Sequence, residues 1–404
     1  MKSQNDQAQL LEVLSRGVSE VLPSVNTLAK LMQQKKIKVF LGIDPTGSLL
    51  TLGHSVVLKK LQQFAVLGHE VILLIGNGTV RIGDPTGRDS TRPVLTDEQI
   101  EENFRNWKKQ AEKILDFSKI KIVHNGDWLD KLNYADLIKL MAQTTVQQLI
   151  ERDMFQDRIK KNLPIFGHEI MYPLMQGYDS VAMNVDLEIG GTDQTFNMMM
   201  GRHLQRVYND HEKWVLTTPI INGTDGRKMS KSYGNFIALT EEPNNMYGKL
   251  MSIDDSMIIE YFTLLTDEPM HSIEKMKLAL EQGQHPLPFK KRLAFVITEF
   301  YHTKADALSA EKHFESTVQR KQLPDDIPTL RMKDQTLNIL DILVKADKTK
   351  SKSELRRLIT QGGVEVILKN RNRLVPTTPF DKFALLNIDV VKIGKRKFVK
   401  IVTS

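Results

Sequence analysis

The sequence predicts an α/β fold: a doubly wound parallel sheet in the larger, N-terminal part, then a helical stretch, then a small basic α+β module. Three observations carry that prediction. The first is a βαβ pattern: apolar runs at 38–43 and 71–75 flank an amphipathic stretch, 53–67, that places Val57, Leu61, Phe64 and Ala65 on one face. Gly68 follows as the left-handed residue that ends a helix. The second is a mainly helical block from 241 to about 321, with Pro-punctuated starts at "EEPNNMYGKLMSI" and "HPLPFKKRLAFVITEFYH". The third is the distribution of charge. Of the formal +7, residues 337–404 hold 15 Lys and Arg against 6 Asp and Glu, so the rest of the chain is slightly acidic. A detachable basic module points to a polyanionic partner, although a solvated basic surface has the same composition.

The remaining elements follow in order. Residues 121–123 and the run "WVLTTPII" from Trp214 read as further strands, and "DWLDKLNYADLIKLMAQTTVQQLIERD" as helix with breaks. The Pro- and charge-rich "KQLPDDIPTLRMKDQ" reads as a linker. With 404 residues, 41% of them hydrophobic, the chain has material for two or three cores, which argues against disorder. The absence of cysteine excludes disulfides and thiolate metal sites and suits a reducing compartment. No stretch has the length of a signal peptide's apolar core or of a membrane span, so a soluble, cytoplasmic protein with no membrane partner is expected.

Ligands of open parallel sheets bind beyond the carboxyl ends of the strands, where helix N-termini offer unpaired N–H groups. Gly53 and His54, in "GIDPTGSLLTLGH", fall at such a helix mouth, with Thr46 and Thr51 adding hydroxyl donors. Alone, the pair fits a capping histidine better than a nucleotide contact. The stretch "DGRKMSKSYGN" at 225–235 changes the balance. It packs Lys228, Ser230, Lys231 and Ser232 between Gly226 and Gly234, a set of mobile cations able to close over a triphosphate. Further on, Tyr172, Gln176 and Asp179 stand at i, i+4 and i+7, with Met171, Leu174, Met175 and Tyr178 largely on the other face. Gly177 costs about 1 kcal/mol relative to alanine inside a helix, and close approach of a ligand is the expected compensation.

These motifs, together with "IGDPTGR", "YPLMQGYD", "GGTDQ" and the C-terminal "KSKSELRRLITQGGVEV", resemble class I aminoacyl-tRNA synthetases, and within them the bacterial-type tyrosyl enzymes. The resemblance covers nearly the whole chain. It implies a Rossmann-like catalytic domain with an N-terminal helix at 1–236, a helical domain at 237–325, a linker at 326–336 and an RNA-binding domain at 337–404. It further implies that tyrosine is activated by ATP to tyrosyl-adenylate and then passed to tRNA. No protein nucleophile is required, and catalysis rests on alignment and charge stabilisation.

By that resemblance Asp84 and Gln176 hold the substrate ammonium beside Tyr172, and Asp179 reads the phenol. Phe40, Gly42, Asp44 and Gln194 complete the tyrosine set. Thr46, Lys228, Lys231, Arg88 and Arg92 face the departing pyrophosphate. His54 and Asp193, with Gly53, Met229 and Ser230, serve the nucleotide. Magnesium is expected to arrive with ATP, with no metal ligated by the protein. Two positions depart from the family pattern. Thr51 replaces the first histidine of the usual His-x-Gly-His signature, and its hydroxyl is expected to join Thr46 on the pyrophosphate oxygens. Phe40 stands where some relatives have a second phenol-reading tyrosine. The C-terminal module resembles a small ribosomal-type RNA-binding fold. Lys350, Lys352, Arg356, Arg357 and Arg373 are its candidate tRNA phosphate contacts, and a homodimer is expected by the same resemblance.

Three other readings use the same residues. A tryptophan-specific synthetase is disfavoured because "YPLMQGYD" matches a phenol reader, and a nucleotidylyltransferase leaves the basic module unexplained. A non-catalytic RNA-binding paralogue would have lost activity at Thr51.

Overall fold

A computed structural model describes residues 4–86, 95–316, 327–333, 335–370, 372–394 and 397–403. The chain divides into two compact units, residues 1–241 with 252–301, and residues 242–251 with 302–404.

The first unit is built on a six-stranded sheet of β1 (Glu20–Leu22), β2 (Lys38–Ile43), β3 (Glu70–Ile75), β4 (Ile120–His124), β5 (Leu187–Gly191) and β6 (Trp214–Thr218), in the order β1-β6-β5-β2-β3-β4. Only β1 runs antiparallel, at the edge. In register, Val39, Phe40 and Leu41 of β2 lie between Val71, Ile72 and Leu73 of β3 and Leu187, Glu188 and Ile189 of β5. These strands are apolar on both faces because helices cover both, as parallel sheets require. Glu188, 2% exposed in the middle of β5, is the exception.

The helix Leu52–Val66 connects β2 to β3, and the helix Thr195–Asn209 connects β5 to β6. The two crossovers progress in opposite directions along the sheet, so the neighbouring strands β2 and β5 mark the topological switch where such folds open a crevice. Gly68 closes the first helix at φ +79°, the left-handed conformation its sequence position demands.

The helix Tyr172–Met183 packs along the helix Thr195–Asn209, and this contact accounts for Gly177 differently from the sequence expectation. A Cβ at Gly177 would lie 2.9 Å from Leu204 and 3.1 Å from the backbone nitrogen of Gly201. The glycine admits a neighbouring helix, not a ligand. The opposite face turns to the cleft, while Leu174, Met175 and Tyr178 join a cluster with Leu204.

The N-terminal helix Gln4–Ser15 is tied down by buried cations. Lys60 donates to the carbonyls of Val13 and Arg16, both at 2.7 Å, and Arg16 in turn donates to the carbonyls of Thr263 and Thr266. Burial first, and then the Arg16 charge, lower the Lys60 ammonium to about 7.

The second unit holds β7 (Thr329–Met332), β8 (Thr336–Asn338), β9 (Val364–Leu368), β10 (Arg373–Leu374), β11 (Lys382–Ala384), β12 (Ile388–Ile393) and β13 (Lys397–Thr403). Five of them form a sheet in the order β10-β9-β12-β13-β7, and β8 pairs with β11. The helices Ile339–Ala346 and Lys352–Thr360 share a core with this sheet through Ile342, Leu343, Leu355, Ile359, Val366 and Val391.

Two boundaries fall elsewhere than the sequence suggested. Residues 329–332, inside the expected linker, form β7, which pairs in parallel with Lys400–Thr403 and contributes Met332 to the core. The flanking prolines and charges masked a short alternating strand. The block 237–325, read as one helical domain, is divided between the units. The helix Pro243–Leu250 packs with the helix Lys304–Phe314 in the second, where Tyr247 meets the Phe314 ring at 5.8 Å. Among the described residues no helix is long and apolar enough to cross a membrane.

Candidate active site

Beyond the carboxyl ends of β2 and β5 lies a cleft of about 330 Å³. The end of β2 supplies Gly42, Asp44 and Thr46, and the following helix supplies Thr51, Gly53 and His54. Asp84 follows β3, while Asp193 and Gln194 follow β5. The helix Tyr172–Met183 adds Tyr172, Gln176 and Asp179, and Lys228 and Met229 close another side. The sheet thus gathers residues spread over nearly 190 positions of sequence.

One end of the cleft is a buried polar chain. Asp179, 1% exposed, accepts from Trp128 Nε1 at 2.8 Å through Oδ1 and from Asn125 Nδ2 at 3.1 Å through Oδ2. Asn125 also donates to Thr79 Oγ1, Thr79 donates to Asp44 Oδ1 at 2.7 Å, and Tyr172 OH donates to Asp44 Oδ2 at 2.8 Å. Burial pushes the Asp179 carboxyl well above the usual carboxylate range. The neighbouring charges of Glu188 and Asp44 act in the same direction, and the two donors oppose them. Gly76 has to be glycine, since a Cβ there would collide with the Asp44 carboxylate.

Beside this chain, Gln194 donates to Asp84 Oδ2 at 2.8 Å and accepts from Asn197 at 2.9 Å. Thr86 donates its backbone N–H and its hydroxyl to Asp84 Oδ1. Gln176 donates to Glu188 Oε1 at 3.1 Å, and Glu188 is paired with the buried Lys213.

The other end is held by the helix mouth and the lysine loop. The backbone N–H of Thr51 donates to His54 Nδ1 at 3.1 Å, which makes Nδ1 an acceptor and leaves the ring proton on Nε2. Burial, and then the Lys231 charge, lower the imidazole to about 4, so it is a neutral donor. The Thr51 hydroxyl lies 2.9 Å from the same Nδ1, and Thr51 is 5% exposed. The Thr51 hydroxyl is thus engaged with His54 at the N-terminus of the helix, on a residue that also lines the cleft. Thr46, by contrast, is exposed in the cleft.

Lys228 forms an ion pair with Asp193 at 3.0 Å. The loop behind it is organised by the buried Asn235, which accepts from the Ser230 backbone N–H at 2.8 Å and donates to Asp225 and to the carbonyls of Arg227 and Lys228. The position of a Cβ on Gly47 would lie 3.4 Å from Lys231 Nζ, so this ammonium sits over the turn that carries Thr46. Ser230 and Lys231 are outside the cleft lining, and Arg88 and Arg92 lie outside the described residues.

Phe40 is fully buried with Ile72, Leu74 and Val185, 5.6 Å from the Lys213 ammonium, on the same face of β2 as Gly42, where a Cβ would lie 3.9 Å from its ring. In the second unit Lys350, Lys352, Arg356 and Arg357 are exposed on and beside one helix, while Arg373 is drawn to Glu365 at 3.4 Å on the adjacent strand.

The sequence reading missed Asn125, Trp128, Thr79, Glu188, Lys213 and Asn235. Asn125 stands just past β4 and obeys the same carboxyl-end rule as Asp44. Glu188 was visible as a lone charge in an apolar run.

The family model for tRNA synthetases class I (W and Y) matches residues 32–319. A tyrosine–tRNA ligase of Thermotoga maritima is 44% identical over 97% of this chain and 96% of its own length. One from Moorella thermoacetica is 44% identical over 100% of this chain and 98% of its own. Among solved structures, a C-terminally truncated mitochondrial tyrosyl-tRNA synthetase of Aspergillus nidulans superposes with a TM-score of 0.64 at 20% identity, covering 78% of this chain and 94% of its own, which speaks to the fold alone. The chain therefore belongs to the class I tRNA synthetases of the tryptophan and tyrosine group, on their tyrosine–tRNA ligase branch.

Proposed function

We propose that the cleft joins tyrosine to ATP and that the second unit contributes to holding the tRNA that receives the product. The observation that carries the reading is Asp179, a buried carboxyl group held by two donors at one end of a cleft whose other side carries Lys228. A phenol hydroxyl donating to Asp179 satisfies it, whereas phenylalanine leaves a buried acceptor short of a bond. The substrate ammonium then faces Asp84 and Gln176. The carboxylate attacks the α-phosphorus of ATP, forming a C–O–P bond as the bond to the bridging oxygen breaks and pyrophosphate departs. Thr46, Lys228 and Lys231 stabilise the charge that develops there, and His54 donates from Nε2 as a neutral group. A terminal ribose hydroxyl of tRNA next attacks the activated carbonyl carbon and AMP leaves. Magnesium belongs to the ATP substrate. Asp193 exchanges Lys228 for the ribose when ATP enters.

Tyrosine-dependent exchange of labelled pyrophosphate into ATP tests the first step. Exchange with tyrosine and none with tryptophan is expected, and equal exchange with both would overturn the reading. For tRNA, replacing Lys352 and Arg356 together by glutamate should raise the KM for tRNA by roughly tenfold or more and reduce the salt slope by about two. Pyrophosphate exchange should stay as it was, and normal aminoacylation by this variant would count against the module's role. A homodimer is supported by the exposed face of the helix Tyr134–Met141, where Tyr134, Ile138 and Met141 stand unburied at i, i+4 and i+7. A monomeric mass by light scattering would refute it. A cytoplasmic location follows from the proposed tRNA partner.

A further inference from the structure

We infer that the buried Glu188–Lys213 ion pair decides which end of the Gln176 amide faces the cleft, and thereby makes Gln176 an acceptor for the substrate ammonium. The inference rests on the proposed contact between Gln176 and that ammonium and assigns it a cause.

Lys213, immediately before β6, is fully buried. Its ammonium meets Glu188 Oε2, donates to Ser180 Oγ at 2.7 Å and to the Met198 carbonyl at 3.1 Å, so all three of its protons have acceptors. Room for it depends on Gly201, where a Cβ would lie 2.5 Å from Nζ. With Lys213 donating to Oε2, Glu188 stands in the pair as an acceptor. Gln176 must therefore turn its NH₂ toward Glu188 Oε1, where it donates at 3.1 Å. Its Oε1 is left at the opposite end of the amide, buried and without a hydrogen-bond partner among the described residues, on a side chain that lines the cleft. A buried acceptor in that state is satisfied by an incoming donor, and an α-ammonium provides one. Lys213 and Glu188 are thus positioning residues for ammonium recognition, acting through Gln176.

The substitution Glu188→Gln tests this. The new amide gives its oxygen to Lys213 and its NH₂ to Gln176, which has to present Oε1 to it and swing its own NH₂ into the cleft against the ammonium. The probe is 3-(4-hydroxyphenyl)propanoate, which keeps the phenol and carboxylate of tyrosine and lacks the ammonium. In full-length Glu188→Gln the KM for tyrosine should rise about 10- to 100-fold, while the inhibition constant of the probe moves by no more than about twofold. The KM for ATP should hold. Because a variant at this buried position can fold poorly, Glu188→Leu with Lys213→Met, which leaves no buried charge and removes the acceptor that orients the Gln176 amide, should show a selective loss of the same kind. Equal weakening of tyrosine and probe in both variants means a merely structural pair and overturns the inference, as does unchanged tyrosine binding. Gln176→Ala separates the two levels. If it leaves the tyrosine-to-probe ratio unchanged, the ammonium contact itself fails. If it changes the ratio and Glu188→Gln does not, only the inference fails.

Discussion

At the end of the cleft proposed for tyrosine, Asp179 is 1% exposed and each of its oxygens accepts from a side chain brought there by the segment after β4. At the end proposed for the triphosphate, Lys228 is 53% exposed and is paired with Asp193, itself partly open to solvent. The first arrangement is part of the core, and its groups keep their places whether or not substrate is bound, because leaving any of them unpaired is costly. The second is a solvent-screened pair of a kind worth about 0–1 kcal/mol, so it gives way easily to a polyanion. Recognition of the small substrate is preorganised, and capture of the charged one relies on side chains that can move.

Substitutions at the two ends should therefore fail in different ways. The largest effect is expected from Asp179→Asn, which puts an NH₂ donor where one of two oxygens accepts from Trp128 and Asn125. An acceptor lost and a buried donor set against donors, at about 1–3 kcal/mol each, correspond to a fall on the order of 10³ in kcat/KM for tyrosine, with preference over phenylalanine reduced. Steady-state exchange with both amino acids measures it, and intact discrimination would break the comparison at its strongest point. Thr46→Ala comes next. If its exposed hydroxyl meets charge that develops only in the transition state, the activation rate should drop about 10²- to 10³-fold. The KM for ATP should hardly move. Single-turnover adenylate formation separates the two constants.

Stability sharpens the contrast further. Asn125→Ala strands the Gly78 N–H, which donates to Asn125 Oδ1 at 2.8 Å, and removes donors from Thr79 and Asp179. A loss of about 2–4 kcal/mol in urea unfolding is expected. Lys228→Ala should stay within about 0.5 kcal/mol while slowing activation. Equal losses would mean that both ends are structural.

Thr51→Val is the smallest. The backbone N–H still holds His54 Nδ1, so removing the hydroxyl should slow activation by no more than about threefold, roughly 0.6 kcal/mol. The same geometry bears on pH. The imidazole is lowered to about 4 in the folded protein against 6.5 in the unfolded chain. Between those values the unfolded chain binds the extra proton, so His54 makes stability fall as pH drops from 6.5 toward 4. The activation rate should show no inflection from this residue between about pH 8 and 5.5. An inflection near 6.5 that vanishes in His54→Asn would contradict the neutral ring.

Much of this was legible in the sequence because hydrophobic period reports burial directly. Apolar runs flanking an amphipathic stretch placed β2, β3 and the helix between them, and i, i+4, i+7 spacing put Tyr172, Gln176 and Asp179 on one face. Spacing says nothing of what lies opposite. Gly177 was assigned a ligand where a second helix stands. Thr51 was read by its hydroxyl alone, while its neighbour three residues on competes for that group. Partners such as Asn125 and Lys213 were invisible, because they act on residues 54 and 25 positions away and only the sheet brings them together.

The chain of hydrogen bonds from Trp128 through Asp179, Asn125, Thr79 and Asp44 to Tyr172 has a consequence for descent. Each member is buried or partly buried, and each inner one answers to two others, so a lineage altering one of them meets a deficit before any gain from a second. Change of amino-acid preference must cross a fitness valley several substitutions wide, while the exposed lysines of 228–232 can be altered one at a time with no folding deficit, at a cost in rate alone. Selection can thus tune the handling of ATP by small steps over a reading of tyrosine that resists them, and laboratory evolution toward other side chains will advance only when residues 125, 128 and 179 are randomised together.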